Sequence, residues 1–148
     1  MKNSSAKVLY WLMALRIATK DEIITWSDKQ IESGSNELEL YSLSTCSEYD
    51  ENEIMNLLKK LSAGSNAKEV ESGTLARIAD WYQSRPDSEP MKTNLLFDIG
   101  KMDDISESTK NKIIWLEDEV CLIRDGIQPK VDSMKSFVAS KLREMSAA

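Results

Sequence analysis

This chain of 148 residues contains no histidine. That absence excludes Ser-His-Asp and Cys-His machinery, His-ligated zinc and haem, and the commonest acid–base catalyst at neutral pH. Glycine and proline are scarce, at five and three, which argues against β-sandwiches, Gly-rich phosphate loops and linker-rich chains. The two cysteines, Cys46 and Cys121, cannot supply a CxxC pair or a four-ligand zinc site. Lying so far apart in sequence, they are expected as unpaired thiols, a disulfide between them being the geometric alternative. No apolar run approaches the ~20 residues of a spanning helix. The run Val8–Leu15, preceded by Lys2 and Lys7, has the look of a signal peptide. Arg16 cuts it short, however, no A-x-A-like site follows, and Tyr10 and Trp11 are unusual there. The expectation is a cytoplasmic protein with no membrane association.

What is present is helical periodicity. With 41% hydrophobic and 30% charged residues, the chain has material for one real core, so a single domain over residues 1–148 is expected. Ser4–Ala18 is apolar nearly all round, the pattern of a helix buried between neighbours. Thr19 with Glu22, and Asp50 with Glu53, read as capping boxes. Between Asp21 and Glu32 the helical wheel gathers Ile23, Ile24, Trp26, Ser27 and Ile31 on one arc, closed by Gly34. Leu38–Ser44 is ambiguous between strand and helix, and lacking a partner strand it is assigned a short helix. Ile54, Leu57, Leu58 and Leu61 form the next stripe, and Ser65–Ser72 reads as an exposed loop.

Further helices are expected over Thr74–Arg85, ended by Pro86, and over Pro90–Met102, with Phe97 off the apolar face. Ser106–Arg124 shows Ile113, Ile114, Leu116, Val120, Cys121 and Ile123 on a broad face, the pattern of a central helix. After Asp125-Gly126, Pro129 opens a last helix carrying Val131, Met134, Phe137, Val138, Leu142 and Met145. The fold class is therefore all-α, a single-domain bundle of seven to eight helices. Of the four Trp, Trp11, Trp26 and Trp81 fall on apolar faces, and Trp115 with Phe97 is a candidate exposed aromatic.

Charge is distributed unevenly. Ten acids against one base, Lys29, occupy Asp21–Glu53, a local balance of −9 in a chain of net charge −6. Residues 1–20 carry four bases and no acid. One reading is that the acids solvate helix faces and complement helix N-termini, a role suited to Glu22, Asp50, Glu51 and Glu53. The other is an electronegative patch that attracts a basic protein through Asp21, Asp28, Glu32, Glu37, Glu39 and Glu48, and repels nucleic acid. The runs Glu117-Asp118-Glu119 and Asp103-Asp104 do not make catalytic dyads, because neighbouring helical residues point apart. Glu117 and Arg124 both project into an apolar arc and are expected to form a structural ion pair or hydrogen bond, a tuned general acid at Glu117 being the alternative. Without Glu-x-x-His pairs, a di-iron site is absent too. Neither metal nor cofactor is expected.

Leu9-Tyr10-Trp11-Leu12, then Lys20-Asp21-Glu22-Ile23-Ile24-Thr25-Trp26-Ser27-Asp28-Lys29-Gln30-Ile31 and Leu40-Tyr41-Ser42-Leu43-Ser44, resembles the opening of small all-α bacterial immunity proteins. Those belong to contact-dependent growth inhibition and related polymorphic toxin systems. The likeness spans roughly the first 65 residues and carries over no contact residue. It implies a cytoplasmic protein that binds the toxin domain of its own system, many such toxins being basic nucleases. On this reading the chain is a binder and not an enzyme. A helical adaptor docking another basic partner is the alternative, and a His-free enzyme built on carboxylates and Arg comes third.

Overall fold

Short polar side chains start most of the helices. The Thr19 hydroxyl accepts the Glu22 backbone N–H at 3.2 Å, and the Asp50 carboxylate accepts that of Glu53 at 2.8 Å. Asn66 accepts from Glu69 at 3.0 Å, Ser106 from Thr109 at 3.3 Å and Ser133 from Ser136 at 3.2 Å. Each satisfies a donor that the first turn would leave orphaned. In a computed structural model describing residues 2–85, 93–126 and 133–148, eight α-helices follow. They are α1 (Lys2–Ala14), α2 (Lys20–Glu32), α3 (Leu38–Ser44), α4 (Glu51–Leu61), α5 (Ala67–Ser84), α6 (Thr93–Gly100), α7 (Glu107–Arg124) and α8 (Met134–Ala147). A 3-10 turn, Cys46–Glu48, lies between α3 and α4. No strand occurs among the described residues, so the fold is all-α. No helix among them is long and apolar enough to cross a membrane.

The chain forms two compact units, Met1–Val70 and Glu71–Ala148. In the first, α1 packs along α4, α4 against α3, and α3 against α2. Ala6, Leu9, Leu12 and Met13 of α1 are buried, as are Ile54, Leu58 and Leu61 of α4. The start of α1 is tied down where α4 ends: the Asn3 side chain donates to the Ala63 carbonyl at 2.6 Å, and the Ser4 hydroxyl accepts the Asn66 N–H at 3.0 Å. In the second unit α6 packs on α7 and α7 on α8. Helices α5 and α8 run antiparallel, with Ser72 donating to the Ser146 carbonyl at 2.7 Å and Arg143 to Asp80 at 3.0 Å.

Several boundaries differ from the sequence expectation. Helix α1 stops at Ala14, four residues before Ala18. Arg16 takes φ +61°, its N–H donates to the Met13 carbonyl at 3.0 Å, and the Ile17 N–H to Leu12 at 2.8 Å. That pair of bonds is a Schellman closure with arginine at the left-handed position. Gly34, at φ +100°, closes α2 through the same pair, Gly34 to Ile31 and Ser35 to Gln30. The supposed loop Ser65–Ser72 is mostly helix, because α5 begins at Ala67 under the Asn66 cap. Val70 is fully buried there, extending the stripe of Thr74, Leu75 and Ile78.

Helix α7 packs against both α6 and α8, as expected of a central helix, but it buries a narrower stripe than its broad apolar face suggested. Thr109, Ile113, Leu116, Val120 and Ile123 are buried at alternating spacings of four and three, Ile114 is exposed and Cys121 half-buried. Trp115 and Phe97 are both exposed, as expected of them, and the Lys101 ammonium sits 4.1 Å above the Phe97 ring. Trp11, Trp26, Ile24, Ile31 and Trp81 are half-buried. On α8, Met134 and Phe137 are half-buried, whereas Lys135 is buried. Pro86, Pro90, Pro129 and Val131 lie outside the described residues.

The closure at Arg16 generates a prediction. A non-glycine residue in the left-handed region costs roughly 1–2 kcal/mol. Arg16 is solvent-exposed, so replacement by glycine changes little besides the backbone. Arg16→Gly is expected to raise the unfolding free energy by about 0.5–1 kcal/mol, glycine's greater unfolded-state entropy taking back part of the gain. Arg16→Val is expected to lower it, both read from urea denaturation curves.

Candidate functional site: the acidic α2–α3 face

Helix α2 buries little, only Ile23 and Ser27, the Ser27 hydroxyl donating back to the Ile23 carbonyl at 2.9 Å. Asp21, Asp28 and Glu32 recur at spacings of seven and four, which sets all three along one line of the helix opposite that buried pair. All three are exposed. The stripe is polar because α2 packs against α3 and the 3-10 turn along its other side.

Helix α3 is seven residues long and splits its apolar content between two sides. Leu40 and Leu43 are fully buried, while Leu38 is 79% and Tyr41 49% exposed. The two pairs share the i, i+3 spacing but sit on different faces. The Ser44 hydroxyl donates to the Asp28 carboxylate, joining the acidic stripe to the edge of α3. Tyr41 precedes Ser44 by three residues, less than a turn away on that same edge. The exposed aromatic is thus on the edge of α3 that the Ser44 bond joins to Asp28.

The six acids proposed from sequence separate into distinct roles. Asp21 and Glu32 are exposed and make no side-chain hydrogen bond or ion pair among the described residues. Asp28 is exposed but bonded to Ser44. Glu48 is exposed on the 3-10 turn, next to Ser47, whose carbonyl accepts from Lys20 at 3.4 Å. Two acids fall away from this group. Glu37 is half-buried and paired with Lys2, fastening α1 to the start of α3, with Glu37 Oε2 buried and unpartnered. Glu39 sits roughly 140° around α3 from Ser44, on the flank turned away from Asp28.

Leu38 and Tyr41 were not singled out by the sequence. The clue lies in the heptapeptide itself: four large apolar residues in seven positions exceed what one helical stripe can bury. Elsewhere, no cluster of metal-ligating side chains exists among the described residues. Both cysteines are free thiols, and burial pushes the Cys46 thiol above its ordinary range. Glu117 does not pair with Arg124, whose guanidinium is 3.8 Å from Asp125 and 3.6 Å from the Cys121 sulfur. Glu117 is instead half-buried, its carboxyl raised by that burial and then by the neighbouring charge of Asp118.

The arrangement has the chemistry of a recognition surface. Exposed carboxylates supply long-range attraction and charge-assisted hydrogen bonds to Lys or Arg. Tyr41 offers apolar area, a hydroxyl and a ring face over which a cation can stack. Comparison with protein-family models, with curated proteins and with solved structures finds no match to this chain.

The register of α3 is directly testable. Leu40→Ala and Leu43→Ala are each expected to cost about 2–5 kcal/mol, the range for emptying a fully buried leucine site. Leu38→Ala and Tyr41→Ala are expected to change stability by no more than ~0.5 kcal/mol, as surface truncations do. Equal losses from the two pairs, in thermal or urea unfolding, would contradict the assignment of Leu38 and Tyr41 as surface anchors.

Proposed function

We propose that this protein is a toxin-neutralising immunity protein: it binds the basic toxin domain of its own contact-dependent inhibition system and blocks it. The observation that carries this reading is the exposure of Leu38 and Tyr41 on α3, a helix whose Ser44 bonds to Asp28 in the exposed line of Asp21, Asp28 and Glu32 on α2. An apolar anchor within a charged rim is the usual anatomy of a tight protein interface. The exposed carboxylates here outnumber the exposed base Lys29, so the partner is basic, and phosphate-bearing nucleic acid is repelled. The resemblance of the first 65 or so residues to immunity proteins supports the toxin as that partner. The protein acts as a binder in the cytoplasm, with no cofactor and no catalytic step of its own.

Binding gains from two terms that act at different stages. The acidic stripe steers encounter and raises the association rate, an effect that salt screens. Tyr41 and Leu38 then lose their exposure to water, which slows dissociation. A helical adaptor for some other basic protein would use the same two terms, and only the consequence for the cell separates the two readings.

The test is capture followed by rescue. The tagged chain, recovered from its native host, is expected to bring down one basic protein, and expression of that protein's toxin domain alone should arrest growth. Co-expression of this chain should restore growth. Asp21→Asn combined with Glu32→Lys should slow association about tenfold at low salt. These substitutions respect the helix: Asn tolerates the N-terminal turn, and a lysine suits the C-terminal one. Asp28 is left untouched because its bond to Ser44 holds α2 to α3. A captured partner that is harmless to the cell would favour the adaptor.

A further inference from the structure

Helix α7 leaves a second apolar surface in the other unit. Ile114 is 53% and Trp115 72% exposed, consecutive residues on the side that the buried stripe does not use. Trp115 lines an open groove of about 560 Å³ between α7 and α8, together with Leu116 and Met145. Four charged side chains line the same groove, one Lys and one Glu from each helix: Lys112 and Glu119 on α7, Lys141 and Glu144 on α8. None of the four forms an ion pair with another, although Lys141 does lie 5.7 Å from the Phe137 ring centre. The groove thus presents balanced charge of both signs around an exposed indole.

That balance selects the occupant. A basic partner of the kind the α2 stripe attracts would meet Lys112 and Lys141, and an acidic one would meet Glu119 and Glu144. A surface that itself carries both signs at the spacing of Lys112 and Glu119 meets neither repulsion. We propose that this groove is the seam of a two-fold homodimer, in which α7 of one copy runs antiparallel to α7 of the other. The sequence spacing fits this operator. The midpoint of Lys112 and Glu119 falls between Trp115 and Leu116. A two-fold axis there sets Lys112 of each copy opposite Glu119 of the other, the two Lys–Glu pairs lying about 10 Å apart along the helix axis. The two indoles meet near the centre, where anchors of an isologous interface belong.

The test is the mass in solution. Light scattering behind size exclusion and sedimentation equilibrium over 1 µM to 1 mM of the full chain should show a monomer–dimer equilibrium. Trp115→Ala should weaken the dimer at least tenfold while leaving the circular dichroism spectrum unchanged, because the indole is mostly exposed. Lys112→Glu alone and Glu119→Lys alone should each weaken it too, and the double swap should restore it. The swap discriminates even if Trp115→Ala were to misfold, since a merely adhesive patch would not recover when two charges exchange places. A monomer at every concentration, a dimer indifferent to Trp115→Ala in the folded variant, or a swap that fails to restore association would overturn the proposal. None of these outcomes depends on what binds the α2–α3 face.

Discussion

Helices of seven to eighteen residues cannot stand alone in water, and their need to bury one narrow apolar stripe each governs everything else here. The seam between α1 and α4 is the clearest case in the first unit. Leu9, Leu12 and Met13 on one side, and Ile54, Leu58 and Leu61 on the other, remove most of their side chains from water. Polar bonds at the helix ends then fix the register, since Asn3 reaches Ala63 and Ser4 receives Asn66. Burial supplies the driving force. The end bonds supply the alignment.

Because each stripe is narrow, the opposite face of each helix is left for solvent or for a partner. Helix α2 shows this most plainly, having Ile23 and Ser27 buried and the line of Asp21, Asp28 and Glu32 turned outward. Two of the acidic residues in this part of the chain are occupied inside the fold. Glu37 holds Lys2, and Asp28 holds Ser44, so removing either would loosen α3 as well as change the charge. The acids that remain unbonded keep their full reach into solvent, where a field of one sign acts over roughly a Debye length of 8–10 Å. The candidate site and the fold thus share Asp28, which is both exposed and bonded to Ser44.

Much of this was legible in the chain. The Thr19 and Asp50 caps, the short helix at Leu38–Ser44, the α4 stripe and the exposure of Trp115 and Phe97 follow from period and capping chemistry that act locally. The misreadings have local causes of a different kind. Arg16 gives no hint that it will adopt φ +61°, because arginine pays for that conformation and only the closing bonds of α1 compensate. Ser65–Ser72 is polar enough to pass for a loop, yet one valine, Val70, suffices once Asn66 caps the turn. Ile114 belongs to an apolar arc on paper, but α7 packs along a line only two positions wide. The split of α3 into buried Leu40 and Leu43 and exposed Leu38 and Tyr41 was the hardest to foresee, since both pairs have the same spacing. Which of the two goes inward is settled by α2 and α4, not by α3 itself.

The central claim is that the α2–α3 face is where a basic protein partner docks, and nuclear magnetic resonance tests it most directly. Amide shifts of the isotope-labelled chain are compared without and with the basic protein recovered with it from the native host. The account predicts that the largest changes cluster at Asp21, Asp28, Glu32, Leu38 and Tyr41, and that they diminish as salt is raised. Shifts confined to α5–α8, with α2 and α3 unmoved, would contradict it.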